Sequence, residues 1–209
     1  MKILCKICQK NRAKRHCPGV EGDICATCCG TGREVTIDCP RSCPFLQEAR
    51  LHEVPAQLTA EQVPHQDIQV SEEFIRKQED VVLWLGNSLT RAMDAGRAVD
   101  SDAREAIEGL IQTYRTAESG LIYESRSANP YASALMEAVK AAVENWPKQG
   151  AESELSAGPN PLSNTDVLGV LVFLQRLELQ YSNGRRRGRA FFDFLMAHFP
   201  EQPAESVVA

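Results

Sequence analysis

The chain has 209 residues, of which 43% are hydrophobic and 24% charged, with a formal net charge of −5. That is enough apolar material for one domain, or for a small domain beside a medium one, and it excludes wholesale disorder. No stretch approaches the eighteen apolar residues of a membrane span, and MKILCKICQK lacks the apolar run of a signal peptide, so a cytoplasmic, intracellular protein is expected.

All eight cysteines lie between Cys5 and Cys43. In a reducing compartment such clustering reads as metal ligation before disulfides. This asymmetry divides the chain into a cysteine-rich module over residues 1–53, a linker over 54–70, a helical domain over 71–200 and a disordered tail over 201–209. The fold class expected is a small α+β zinc-finger module followed by an all-α domain of about five helices.

The module has too few large apolar residues to fold on its core alone, so it needs a staple. EVTID (34–38) alternates and is β-branched, which predicts a short strand, with RAKRHC (12–17) as a weak partner. PFLQEARLHE (44–53) predicts a helix with Pro44 in its first turn. Residues 54–70 carry two prolines and no sustained period, the mark of a surface arm.

Ser71, followed by Glu72 and Glu73, predicts a capped helix start. Phe74, Val81, Trp84, Leu85, Leu89 and Ala92 give that helix one buried face. Asp102 with Glu105 predicts a second start, with a stripe from Ile107 through Leu110, Ile111, Tyr114 and Ala117 to Leu121. Asn129-Pro130 predicts a third, which stops at Pro147. Residues 149–163 read as a long loop. The stretch from Thr165 to Tyr181 is apolar nearly all round, interrupted by Arg176 and Glu178, and predicts a central helix. A short phenylalanine-rich helix ends at Pro200.

The cysteines pair as Cys5-x2-Cys8, Cys25-x2-Cys28 or Cys29, and Cys39-x3-Cys43, with Cys17 alone beside His16. Zinc takes four thiolate or imidazole ligands in a tetrahedron, often from two close pairs on tight turns. If Cys5, Cys8 and Cys25 take one of Cys28 and Cys29, the other is free to join Cys17, Cys39 and Cys43. Eight thiols then hold two ions in interleaved sites, with His16 as the reserve ligand. An iron–sulfur cluster would want the tight run that is absent here, and a redox dithiol would want a surrounding βαβ unit. A closed four-thiolate site has no open position for water, so the zinc is expected to be structural.

Cys5-Lys-Ile-Cys8, then Ala13-Lys-Arg-His-Cys17-Pro, then Cys25-Ala-Thr-Cys28 and a last pair near a helix resemble the interleaved two-zinc fingers of the HIT and MYND type, and more broadly treble-clef fingers. The resemblance covers residues 1–50. It departs from the pattern at Val20, which stands where a partner of Cys17 would fall, in the insertion between Cys29 and Cys39, and in ending on two cysteines. The resemblance implies adaptor work through a protein partner, less often nucleic-acid contact, and rarely catalysis.

Residues 1–50 hold nine Lys or Arg and five Asp or Glu, and two four-thiolate zinc sites would neutralise them. The remainder is net −9, so neither part is built to grip a phosphate backbone. Two basic runs stand out: Lys10, Arg12, Lys14 and Arg15, and Arg185, Arg186, Arg187 and Arg189. The second is expected to cluster at a helix end, with an anion or acidic-partner site as the sharper reading. No P-loop, G-x-S-x-G or H-E-x-x-H pattern is present. The expectation is a non-catalytic zinc-binding adaptor of unknown oligomeric state. The alternative is a nucleic-acid-associated regulator that uses the two basic runs.

Overall fold

The computed structural model describes residues 3–121, 124–146 and 162–199. Within them a small two-stranded sheet and eight α-helices are formed. The expected loop over 149–163 lies almost wholly outside the described residues, as does the tail over 201–209.

The module begins with a knuckle. Leu4 bridges Arg12, and the Cys5 amide donates to the Asn11 carbonyl at 2.9 Å. Strand β1, Arg15–Cys17, then pairs antiparallel with β2, Gly22–Ile24, through a 3-10 turn at Pro18–Val20. The weak strand expected at 12–17 therefore forms, but with a different partner. EVTID is not a strand. Helix α1, Ala26–Gly32, runs directly into a tight turn in which the Gly32 carbonyl accepts from the amides of Val35, Thr36 and Ile37. A side chain at Gly32 would press on Ile37, its Cβ only 2.9 Å from Cδ1. Glu34 adopts φ +51°, a conformation that branched and bulky residues avoid. Alternation predicted a strand because it counts side chains and ignores carbonyl partners, and here the helix end claims them. Helix α2, Pro44–Arg50, starts where Pro44 predicts and stops three residues before Glu53.

The arm over 54–70 lies along the helical domain. The Ala56 amide donates to the Gln180 carbonyl at 2.7 Å, and Arg115 reaches Asp67. Ser71 caps α3, Glu72–Lys77, by accepting from the Phe74 amide. The single long helix expected here is broken at Gln78, where φ falls to −103°, and α4 continues over Glu79–Gly96. Helix α5 spans Asp100–Glu118 and begins two residues earlier than Asp102 suggests, because Asp102 folds back to accept from the Val99 amide. Leu121 lies beyond that helix and is exposed. Helix α6, Pro130–Glu144, starts on the predicted Asn129 cap. Helices α7, Asn164–Tyr181, and α8, Ala190–His198, complete the domain. The domain thus has six described helices against the five expected, the difference being the break at Gln78.

Helix α7 is central, as its all-round apolar sequence predicts. It packs along α5, while α6 spans α4 and α5, and α8 closes over α4 and α7. Leu85, Leu89, Ile107, Leu110, Ile111, Leu171, Leu174, Phe191 and Leu195 are fully buried between them. No helix among the described residues is long and apolar enough to cross a membrane.

Candidate metal centre and its seam with the helical domain

Two turns carry the first group of cysteines. Cys5 and Cys8 sit on the knuckle, and Cys25 is the N-cap of α1, its sulfur accepting from the Cys28 amide at 3.4 Å. The ligand atoms of Cys5, Cys8, Cys25 and Cys28 all lie within 4.8 Å of one another. A tetrahedral ion with metal–sulfur bonds of about 2.3 Å requires sulfurs about 3.8 Å apart, so one ion fits this group. Among the described residues it is the one group of three or more candidate ligands at that spacing.

The polar surroundings favour thiolate. Burial opposes ionisation of Cys5, but the amides of Cys8, Cys25 and Ile7 outweigh it and lower its pKa to about 6. The Cys28 amide is the largest influence on Cys25 and lowers it also, with Asn11 donating to the same sulfur at 3.7 Å. Cys28 is pushed up to about 12, first by its hydrogen bond to Cys25 and then by burial. The hydrogen bonds that lower Cys5 and Cys25 and the neighbouring sulfurs that raise Cys28 tie these thiols into one coupled group, as the ligands of one cation would be.

Adjacent residues on a helix point about 100° apart. While Cys28 joins the first group, Cys29 faces the other way and accepts from Arg15 Nη1 at 3.3 Å. Cys17, Cys29, Cys39 and Cys43 are all buried and line one enclosed cavity of about 10 Å³ with Ile24, Ile37, Phe45 and Leu46. That is room for one water-sized centre. Burial raises the Cys39 thiol, and Glu34, Cys17 and Cys43 raise it further. His16, next to Cys17 on β1, also lines this cavity. Its ring is exposed and meets Asp23 at 3.2 Å.

The structure also brings together residues that no motif announced. Glu34 is fully buried at the seam between the module and the helical domain. Its carboxylate accepts from Arg50 at 2.5 Å, from Asn183 at 2.9 Å and from the Arg189 amide at 3.1 Å. Its carbonyl accepts from the Arg187 amide at 2.8 Å. These bonds hold its left-handed backbone in place. Arg50 also donates to Glu53 and to Asp193 of α8, and Arg41 donates to Asp193 at 2.7 Å.

The arginine run is part of this clasp. Arg185 donates to the Arg33 carbonyl, and Arg189 donates to Asp38 at 2.8 Å and to the carbonyls of Ala98 and Arg97. Arg186 and Arg187 remain exposed. Two of the four candidate partner-contacting arginines therefore hold the chain to itself. Behind them Glu178, fully buried, receives both arms of Arg104 at 2.8 and 2.9 Å. Asp100 caps α8 from a distance by accepting from the amides of Phe191 and Phe192. Glu178 was visible in the sequence as a charge inside an apolar helix, which demands a partner. Glu34 gave no such signal, because its stretch reads as a solvated strand.

Compared with known protein families, curated proteins and solved structures, the chain matches none of them.

Proposed function

We propose that the chain is a non-catalytic, cytoplasmic zinc-binding adaptor whose zinc sites are structural. The observation that carries this reading is the closed spacing of Cys5, Cys8, Cys25 and Cys28. Four sulfurs around one ion leave no position for a reacting water. In the finer form of the proposal, zinc takes this site and a second ion takes Cys17, Cys29, Cys39 and Cys43, the interleaved order of HIT- and MYND-like fingers. The shared cavity, the burial of all four sulfurs and the separation of Cys28 from Cys29 support it. His16, which also lines that cavity, stays the reserve ligand.

The adaptor surface is the knuckle tip. Ile3, Leu4 and Ile7 are 62, 55 and 46% exposed there, beside the exposed cations Lys10 and Arg12. Apolar residues displayed together suit a protein partner, and the adjacent cations suit one with acidic groups.

Metal analysis of protein purified without added metal tests the sites. Two zincs per chain and no reactive thiol are expected. One zinc with four reactive thiols would remove the second site, and iron would remove the zinc reading. A photo-crosslinking residue at Ile7 tests the surface: a protein adduct is expected, and a nucleic-acid adduct would favour the regulator instead.

A further inference from the structure

Helix α7 carries one arginine with no carboxylate partner among the described residues. Arg176 projects from the central, mostly apolar helix. One of its nitrogens, Nη2, donates to the carbonyls of Pro64 at 3.1 Å, His65 at 3.0 Å and Ile68 at 3.5 Å. These bonds fix the guanidinium against the arm but neutralise no charge. No carboxylate among the described residues pairs with it, whereas Arg115 and Lys140, also half-buried in the helical domain, meet Asp67 and the carboxylates of Glu124 and Glu137; Arg185 shares the lack of such a partner. Its Nε is buried and makes no hydrogen bond. Burial lowers its pKa, the direction expected of a cation held out of water with nothing to balance it.

An uncompensated, partly buried cation costs stability unless something else requires it. The same arginine lines an open cleft of about 460 Å³ between α3 and α7. Val70, Ile75, Phe173 and Leu177 form its apolar wall. Arg76 and Glu72 stand exposed at the rim and offset each other, so the charge left within is that of Arg176. The volume falls in the range of small-molecule sites, and the lining has their usual character, apolar with one fixed polar group. With Nη2 held by the arm's carbonyls and Nε buried, Nη1 is the guanidinium nitrogen left to donate to a carboxylate oxygen in a charge-assisted bond.

We propose that this cleft binds a small amphiphilic carboxylate, with its head on Arg176 and its apolar tail along Val70, Ile75, Phe173 and Leu177. The assignment is independent of the metal sites. It gives the helical domain a ligand of its own, held where the arm, α3 and α7 meet.

Calorimetric titration of the metal-loaded full chain with octanoate, octanol and octylamine tests it. Octanoate should bind one to one, and octanol and octylamine should bind at least about ten-fold more weakly, the scale set by a charged hydrogen bond. Arg176→Gln should abolish the preference for octanoate over octanol. Because that change also loosens the arm, Ile75→Trp is the second variant. It fills the cleft without touching the arginine, and it should abolish binding while circular dichroism and metal content stay unchanged. Equal binding of octanoate and octanol, no binding of octanoate at millimolar concentration, or full binding by Ile75→Trp would each overturn the proposal.

Discussion

The N-terminal module and the helical domain hold themselves together by different means. In the module's buried cluster only Ile24, Ile37 and Leu46 are not cysteines. In the helical domain the buried cluster is a continuous body of Leu, Ile, Val, Met and Phe drawn from α4 to α8. The first depends on a ligand that the chain does not encode; the second depends on area removed from water, at about 25 cal/mol per Å². The seam between them resembles neither. It is made of ion pairs, among them the buried Glu34–Arg50 pair, and backbone amides centred on Glu34, Arg50, Asp193 and Arg189. Small regions that fold by separate devices can be joined through polar contacts.

The comparison is broken most severely by removing metal. Structural zinc supplies about 10–16 kcal/mol of apparent folding energy. Chelation should therefore unfold residues 1–50, while α4 to α8 keep a cooperative thermal transition. Loss of nearly all helical circular dichroism on chelation would show instead that the two regions fold as one.

Next in size is the seam. Glu34→Gln leaves Arg50 without its shortest carboxylate partner in a buried setting, which costs about 3–5 kcal/mol in comparable cases. Metal content should hold, and protease cleavage in the stretch joining module and arm should accelerate. An unchanged cleavage rate would mean that the clasp carries little of the docking.

Leu171→Ala addresses the apolar region alone. A fully buried leucine at the centre of the bundle should cost about 2–5 kcal/mol in urea denaturation, with the thiols still protected from alkylation. Reactive thiols in that variant would tie the module's integrity to the bundle more closely than the seam suggests.

The smallest expected effect is a pH dependence. Burial raises the Asp100 carboxyl to about 7; the amides of Phe191 and Phe192 oppose that shift, and Glu178 and Glu34 reinforce it. The unfolded group titrates near its ordinary value, so the folded chain holds a proton that the unfolded chain has lost. The stabilisation is complete at pH below the ordinary value and is lost as pH rises through about 7. Relative to Asp100→Asn, the wild-type chain should lose about 1 kcal/mol or more between roughly pH 5.5 and 8, at a limit of about 1.4 kcal/mol per unit. The opposite slope would show that the amide donors dominate.

Most of the helical domain could be read from its residues. Ser71 and Asn129 act as caps, and the face running from Val81 through Leu85 to Leu89 is buried. Those features follow from local geometry, since a cap or a stripe needs only its own helix. The break at Gln78 was not legible, because both halves keep the same apolar period across it. In the module, the pairing of Cys5-x2-Cys8 with Cys25-x2-Cys28 was plain from spacing. Whether Cys28 or Cys29 completed it was not, because both lie within reach in sequence and only the direction of α1 separates them.

The sequence by itself determined that cysteines and apolar helices would form separate regions, since composition fixes what each segment can bury. Tertiary structure decided everything that depends on an arrival from far along the chain. It turned EVTID into a turn, placed Glu34 under Arg50 and Asn183, and drew Arg185 and Arg189 inward. It also left Arg176 beside a cleft with no carboxylate opposite. The reason is the same in each case. A charged side chain shows its type in the sequence, but its partner is chosen by packing, and the energy of burying it depends on that partner alone.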